Sequence, residues 1–498
     1  MKNSTSIFLI IGIVILANLL SNQFFFRWDF TEDKEYTLSK ATKDILKNLE
    51  EPVMVSAYFS ENLPTDIAKS KKDFQEMLIE YSNLSKGMID YEFINPNENE
   101  EKEREAQQNG IRPVMINVRE KDQTSQQRAY LGAILKMGDR QEVIPFLQPG
   151  GPQEYPLSTS IKKISVVDKP AIGIITGHGE AGLDQLGQVV QSLSVLYNVE
   201  TLNFNNTESI ADRFKAVAMV APKDSIPAND FNKLDDYLSR GGNILIAANG
   251  VNGDLSTSQG TALTTGLETW LKTKGLELEN SFIVDTKCGN VSVQQRQGFF
   301  NFNTPISFPF LPTISGFTDH PITKGIEEVM MPFASPIRFL GETSATFTPL
   351  ATTSNKSGII KPPTSFNVSK KWTARDFPLS NIIVAGVLEG NLAGDAAAKI
   401  VLIGDGDFPI TNEGGGQTEN NISLLSNSID WLSDDTGLIE LRTKGVASRP
   451  IDEIEDSEKS MYKWGNFFLP IVLIVFYGFY RMQRKRSIRN KRMQERFA

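Results

Sequence analysis

Cysteine and histidine are almost missing: 498 residues hold one Cys, Cys288, and two His, His178 and His320. A lone thiol excludes an internal disulfide framework and any Cys-rich metal site. With no Cys-x-x-Cys, dithiol redox chemistry is excluded as well. No Gly-x-x-x-x-Gly-Lys-[Ser/Thr] occurs, so the chain does not hydrolyse ATP by a P-loop mechanism. A Gly-x-Ser-x-Gly elbow is missing too, and Cys288 follows no elbow pattern, which argues against a Ser or Cys nucleophile. Basic charge is scarce over most of the chain. The formal charge is −9, yet eight bases face one acid after Trp464 and the first 26 residues hold only Lys2; the 437 residues between therefore carry −17. So acidic a body disfavours nucleic acid as a partner.

What the sequence does have is an uncharged apolar run at each end. Residues 464–480 contain no charge and, as a helix, cover roughly 25 Å against a bilayer core of about 30 Å. Arg481, Arg484, Lys485, Arg486, Arg489, Lys491, Arg492 and Arg496 follow. Bases this near a span stay on the cytoplasmic side, so residues 481–498 are expected there as a basic tail that also meets membrane lipid. A buried core helix would leave that tail without a purpose. Residues 7–20 form the second run, extended to Phe26 and closed by Arg27 and Trp28. A cleaved signal peptide is the alternative, but a small-x-small cleavage site is missing. The expectation is therefore a span within residues 1–26, both termini in the cytoplasm, and one acidic extracytoplasmic block held to the inner (cytoplasmic) membrane by both ends. Pro470 and Gly478 interrupt the C-terminal span, which suits packing against other helices.

Between the runs the pattern is α/β. Ser39 is a good N-cap for a helix over 40–49. Strands are expected at 53–59, 88–94 and 113–119, helices at 66–86 and 97–109, a hairpin over 128–136 and 141–146 about Gly138-Asp139, and a helix at 157–167. The order β-α-β-α-β-β-α is that of a thioredoxin-like domain, set at 27–168, with Pro113 opening its third strand. A second series begins after Pro170. Strands at 171–176, 199–204, 216–220, 243–248, 276–285, 381–388 and 399–403 alternate with helices at 184–197, 228–240, 262–274 and 420–431. Val- and Ile-rich strands with helices between them predict a doubly wound parallel sheet over 169–436. Residues 289–376 loosen into short antiparallel pieces, read as an insertion covering one sheet edge. A polar stalk, 437–463, leads back to the membrane.

Two turns carry groups able to bind. Thr176-Gly-His-Gly-Glu180 closes a strand at the carboxyl edge, where open α/β sheets place ligands. His178 and Glu180 offer an acid–base pair or half a metal site; a glycine-shaped turn whose His bonds locally needs neither. Gly404-Asp-Gly-Asp-Phe408 also follows a strand, and Asp405 and Asp407 offer a cation site or a plain βα loop. His320 reads as structural. These four residues, His178, Glu180, Asp405 and Asp407, are the candidate ligand-binding set. No catalytic residue, metal or cofactor is expected.

The sequence from Arg27 to Ser39, Arg-Trp-Asp-Phe-Thr-Glu-Asp-Lys-Glu-Tyr-Thr-Leu-Ser, resembles the Arg-x-Asp-Leu-Thr-x-x-x-x-Tyr-[Ser/Thr]-Leu-Ser signature of the gliding-motility-associated ABC transporter auxiliary family (GldG-like). Glu51-Pro-Val53 with Tyr58-Phe59, Thr176-Gly-His-Gly-Glu180, His320-Pro-Ile-Thr323 and Gly404-Asp-Gly-Asp-Phe408 match later blocks in order, although the last more often reads Gly-Asp-Ser-Asp-Phe. The resemblance covers nearly the whole chain, both spans included. It implies a non-enzymatic auxiliary subunit of an ABC complex tied to gliding motility and surface secretion, with a multi-span permease and a separate ATPase as partners. It further implies that the large domain is amidotransferase-like (flavodoxin-like) without the catalytic Cys, and it carries over no catalytic residues. A membrane-anchored hydrolase or amidase using His178 and Glu180 is the alternative reading. A cell-wall-binding scaffold is a third, and the extracytoplasmic ligand is left open between a small molecule and a protein.

Overall fold

A computed structural model describes residues 37–433, apart from 62, 121–122, 152, 167–168, 298–299, 342–344 and 411–418, and residues 456–494. The chain falls into two compact units, Met1–Ala447 and Ser448–Ala498. The expected N-terminal span and most of the stalk lie outside the described residues.

The chain becomes regular at helix Lys40–Lys47, whose Ser39 cap accepts the Thr42 amide at 3.1 Å. Strand β1 (Val53–Phe59) pairs in parallel with β2 (Ile89–Ile94) after helix Thr65–Leu84. Phe74, Leu78 and Tyr81 of that helix, on one face at steps of four and three, are fully buried on the sheet. Each such apolar side chain contributes roughly 1.5–3 kcal/mol. Helix Glu100–Gln108 is charged, with Ala106 its buried contact. Strands β3 (Val114–Glu120) and β4 (Gln123–Ala129) form a separate hairpin. Contrary to expectation, the Pro113 strand is thus not the sheet's third strand. That place beside β1 belongs to β5 (Leu131–Met137), followed by β6 (Arg140–Ile144), so the sheet runs β2-β1-β5-β6. Burial decides it: β5 is apolar at five of seven positions, whereas Gln123–Ala129 is polar almost throughout. Helix Glu154–Ser165 closes this layer, and Glu154 Oε1 accepts the Ser39 amide and the Thr42 hydroxyl, each at 2.7 Å.

The larger sheet has eight strands. Five are parallel neighbours: Ala398–Ile403, β10 (Asn243–Ala247), β9 (Phe214–Val220), β7 (Ala171–Thr176) and β8 (Asn198–Asn203). In chain order this is 2-1-3-4-5, so the order reverses between β7 and β9. Alternate side chains of β9 point to opposite faces. Ala216, Ala218 and Val220 meet helices Gly187–Leu193 and Glu419–Ser433, while Val217 and Met219 meet helices Ala228–Ser239 and Leu267–Thr273. Antiparallel strands Ile383–Gly390, Thr346–Thr352 and Gly316–Phe317 extend the other side. The loosened segment therefore supplies strands to the main sheet.

Two further expectations shift. Residues 276–285 form no strand of the main sheet; Leu276–Leu278 pairs with Ile337–Phe339, and Phe282–Asp285 with Ser357–Ile360. The helix expected from 262 starts at Leu267, because Gln259–Ala262 pairs with Val251–Asp254 and Gly266 turns left-handed at φ 90°. The segment beyond Phe282 builds its own aromatic core, in which Phe366 sits 4.8 Å from Phe310 and 5.1 Å from Phe333.

Among the described residues, the second unit is one helix, Asp456–Gln494, of 39 residues. It starts within the expected stalk and runs through Pro470 and Gly478, so these residues do not break it. Its Glu458–Asn490 stretch is long and apolar enough to cross a membrane and is unburied by protein.

Candidate functional site

β7 ends at Thr176 at the reversal point of the sheet, and the chain leaves it through Gly177 (φ 136°) and Gly179 (φ 76°). Both are left-handed conformations that favour glycine. A Cβ on Gly179 would also press Asp224 and Lys223 at 3.1 Å. This turn swings His178 inward, where it is buried. Its Nδ1 faces Glu180 Oε1 at 3.0 Å and its Nε2 faces Asp230 Oδ2 at 2.9 Å. The other Glu180 oxygen accepts the His178 amide at 2.6 Å. Asp230 Oδ1 pairs with Lys233 Nζ at 2.6 Å, and Lys233 also donates to the Phe204 carbonyl at 2.9 Å. Phe204 sets its ring edge-on to His178 at 6.2 Å.

All four side chains are buried and all are partnered. Contacts from both ring nitrogens and from the Lys233 ammonium to the two carboxylates give each side chain a partner. Such a set answers the rule that buried charges must be paired and hydrogen-bonded. Chemically it ties the β7 turn to helix Ala228–Ser239. It leaves His178 no ring nitrogen turned to a substrate.

The second candidate turn lies on the same carboxyl edge, after Ala398–Ile403. Asp405 is fully buried, and its Oδ1 accepts the amides of Asp407 at 2.7 Å and Phe408 at 3.3 Å, and the Asn249 side chain at 3.4 Å. Among the described residues, its Oδ2 has no hydrogen-bond partner. Burial, then the neighbouring Asp407 charge, holds the Asp405 carboxyl well above the usual carboxylate range. Burial raises half-buried Asp407 as well, with Lys223 acting in the opposite sense. Close backbone approach fixes this turn: a Cβ on Gly404 would meet the Ser335 carbonyl at 2.1 Å, and one on Gly406 the Ala221 Cα at 2.6 Å.

The structure brings His178 to Glu180 and Asp405 to Asp407, and sets the two pairs on one edge with the loop after β9 between them. Ala221, itself left-handed at φ 52°, abuts Gly406, while Lys223 and Asp224 donate their amides to the His178 carbonyl at 3.0 and 2.8 Å. Among the described residues, no hydrogen bond or ion pair joins one pair to the other. Sequence reasoning missed Asp230, Lys233, Asn249 and Lys223. The Asp230/Lys233 spacing of three, on the first turn after Pro227, was the available signal. His320 lies elsewhere: its Nδ1 accepts the Ile322 amide at 3.2 Å, its ring stands 5.1 Å from Trp431, and burial holds its pKa below the usual histidine value. Cys288 is a half-buried thiol that burial pushes up. Among the described residues, no group of three or more His, Cys, Asp or Glu is arranged to hold a metal.

Residues 169–433 match the family model described as an ABC-type uncharacterized transport system, the auxiliary family of such systems, and residues 32–136 match a domain of unknown function. A Borreliella burgdorferi chain described as an uncharacterized protein is 21% identical over 489 residues, covering 93% of this chain and 94% of its own. The solved mmIFT52 N-terminal domain covers 53% of this chain and 97% of its own at 14% identity and a TM-score of 0.35. A ThuA-like protein from Parabacteroides merdae covers 58% and 94% at 12% identity and 0.28. Scores this low carry neither fold nor activity across.

Proposed function

Since the chain belongs to the auxiliary family of ABC-type transport systems, we propose that it is a non-enzymatic subunit of such a complex, partnered by a multi-span permease and a separate ATPase. The observation that carries this reading is the helix Asp456–Gln494. Its apolar side chains from Trp464 to Tyr480 are all exposed and are followed by bases, as expected of a span that docks on other membrane helices. In this reading the N-terminal run crosses the same membrane, both termini are cytoplasmic, and residues 27–463 face outward. The order β2-β1-β5-β6 supports a thioredoxin-like first domain, and the order 2-1-3-4-5 supports a flavodoxin-like, amidotransferase-like second one. The outer domains bind a partner or ligand at the carboxyl edge bearing Asp405 and Asp407, and the complex serves gliding motility and surface secretion. Closure of the His178 cluster weighs against the hydrolase reading, because both ring nitrogens are engaged within the fold.

Affinity purification of the full chain from membranes, read by mass spectrometry, tests this. A permease and an ATPase subunit are expected at comparable abundance; recovery of neither overturns the proposal.

A further inference from the structure

The helix of the second unit carries one continuous stripe at alternating steps of four and three: Phe467, Ile471, Ile474, Gly478, Arg481 and Lys485. These positions lie on one helical face. Its upper part is apolar and exposed. Its lower part is an open, shallow surface bordered by Gly478, Arg481, Met482, Lys485, Arg486 and Arg489. The two parts meet at Gly478, which adds no side chain to the face; this gap between its neighbours is the notch, and a Cβ there would stand in open space with nothing within 4 Å.

The dimensions match one leaflet. Ile471 to Gly478 spans about 10 Å of helix, within one leaflet of a span that covers roughly 25 Å in all, and Phe467 meets the far end of an acyl chain that reaches past the middle. Arg481 lies about 5 Å beyond the notch and Lys485 about 10 Å beyond it. The headgroup layer is only some 5–8 Å deep on each side, so Arg481 lies within it. Lys485 and Arg486 reach back by snorkelling, and Arg489 is more remote. No acid occurs between Lys463 and Glu495 to offset these charges.

We propose that this face holds an anionic phospholipid, with its phosphate in the Gly478 notch against Arg481, Lys485 and Arg486 and one acyl chain along Ile474, Ile471 and Phe467. The inference rests on the reading that the helix spans the membrane with its basic end on the cytoplasmic side. The Gly478 notch distinguishes it from general attraction between basic tails and acidic membranes: charge alone would be indifferent to residue 478.

The full chain is reconstituted in nanodiscs of phosphatidylglycerol and phosphatidylcholine, released, and its retained lipid counted by native mass spectrometry. The wild type is expected to retain phosphatidylglycerol over phosphatidylcholine, and 10 mM inorganic phosphate is expected not to displace it. Gly478→Leu keeps every charge and is expected to lose most of the retained phosphatidylglycerol. Arg481→Gln with Lys485→Gln is expected to weaken retention about 30-fold. Equal retention by Gly478→Leu and wild type overturns the proposal, as does equal retention of the two lipids. So does displacement by inorganic phosphate, or a double variant that keeps its lipid but loses a copurifying acidic protein. Flotation of each variant with vesicles after alkaline carbonate separates the two failures. If none floats, the spanning reading falls; if all float with unchanged lipid content, only the lipid site falls.

Discussion

Two acidic turns stand on one edge of the same sheet, and they solve the burial of carboxylates in opposite ways. At His178, two carboxylates meet an imidazole and an ammonium, and all four groups are partnered. At Asp405, a fully buried carboxylate sits beside a second one, offers a single oxygen to backbone amides, and leaves the other unpartnered. The first cluster is held by its charges. The second is held by backbone contact at Gly404 and Gly406, and its charge is a burden on the fold. Residues alike in the sequence, an acid two places from a polar neighbour between glycines, thus take different physical roles according to what the next loop and helix bring.

Breaking the balanced cluster has the largest expected effect. Asp230→Ala leaves both His178 and Lys233 buried without their shared carboxylate, and a loss of about 3–5 kcal/mol is expected. Urea unfolding of the purified full chain measures it, and a loss below about 1 kcal/mol would mean that the cluster contributes little beyond packing.

Gly406→Ala addresses the second turn with its charges intact. The new methyl would press the Ala221 Cα at 2.6 Å and the Ala247 carbonyl at 2.7 Å, so backbone must shift. A loss of about 1–3 kcal/mol is expected in the same assay, and an unchanged midpoint would show that this edge is more yielding than its contacts imply.

The smallest effect, and the sharpest contrast, is that of Asp405→Asn. The amide oxygen still accepts from residues 407 and 408, but the charge is gone. A carboxyl held above its usual value binds its proton more tightly folded than unfolded, so its contribution to stability falls as pH rises from about 4 toward the raised value. The variant is therefore expected to melt higher than wild type at pH 8, with the difference vanishing toward pH 4. A variant equally destabilised at both pH values would mean that Oδ2 is used by something that the charge serves.

Much of this fold could be read in advance where periodicity and burial coincide. Strands β7, β9 and β10 are largely apolar because both their faces are covered, and helix Ala228–Ser239 ends against Gly241 in the left-handed region. The reading failed where pairing rather than propensity decides. Val114–Glu120 alternates like a sheet strand, but only the apolar β5 can lie beside β1. Ala262 is drawn from helix into strand by Val251, eleven residues earlier. At the site, the glycine-framed turns and the His178–Glu180 pair were visible in sequence, whereas the second partner of His178, Asp230, comes from a helix 52 residues away. No local pattern states that distance.

The unbroken helix Asp456–Gln494 also has a mechanical consequence. Its 14 residues beyond Tyr480 form an arm about 21 Å long, continuous with the apolar stretch. Tilting that stretch by about 20°, an ordinary inclination for a membrane helix, swings the far end through about 7 Å. The basic segment thereby works as a pointer, converting a small rocking of the helix into a displacement about the width of a side chain.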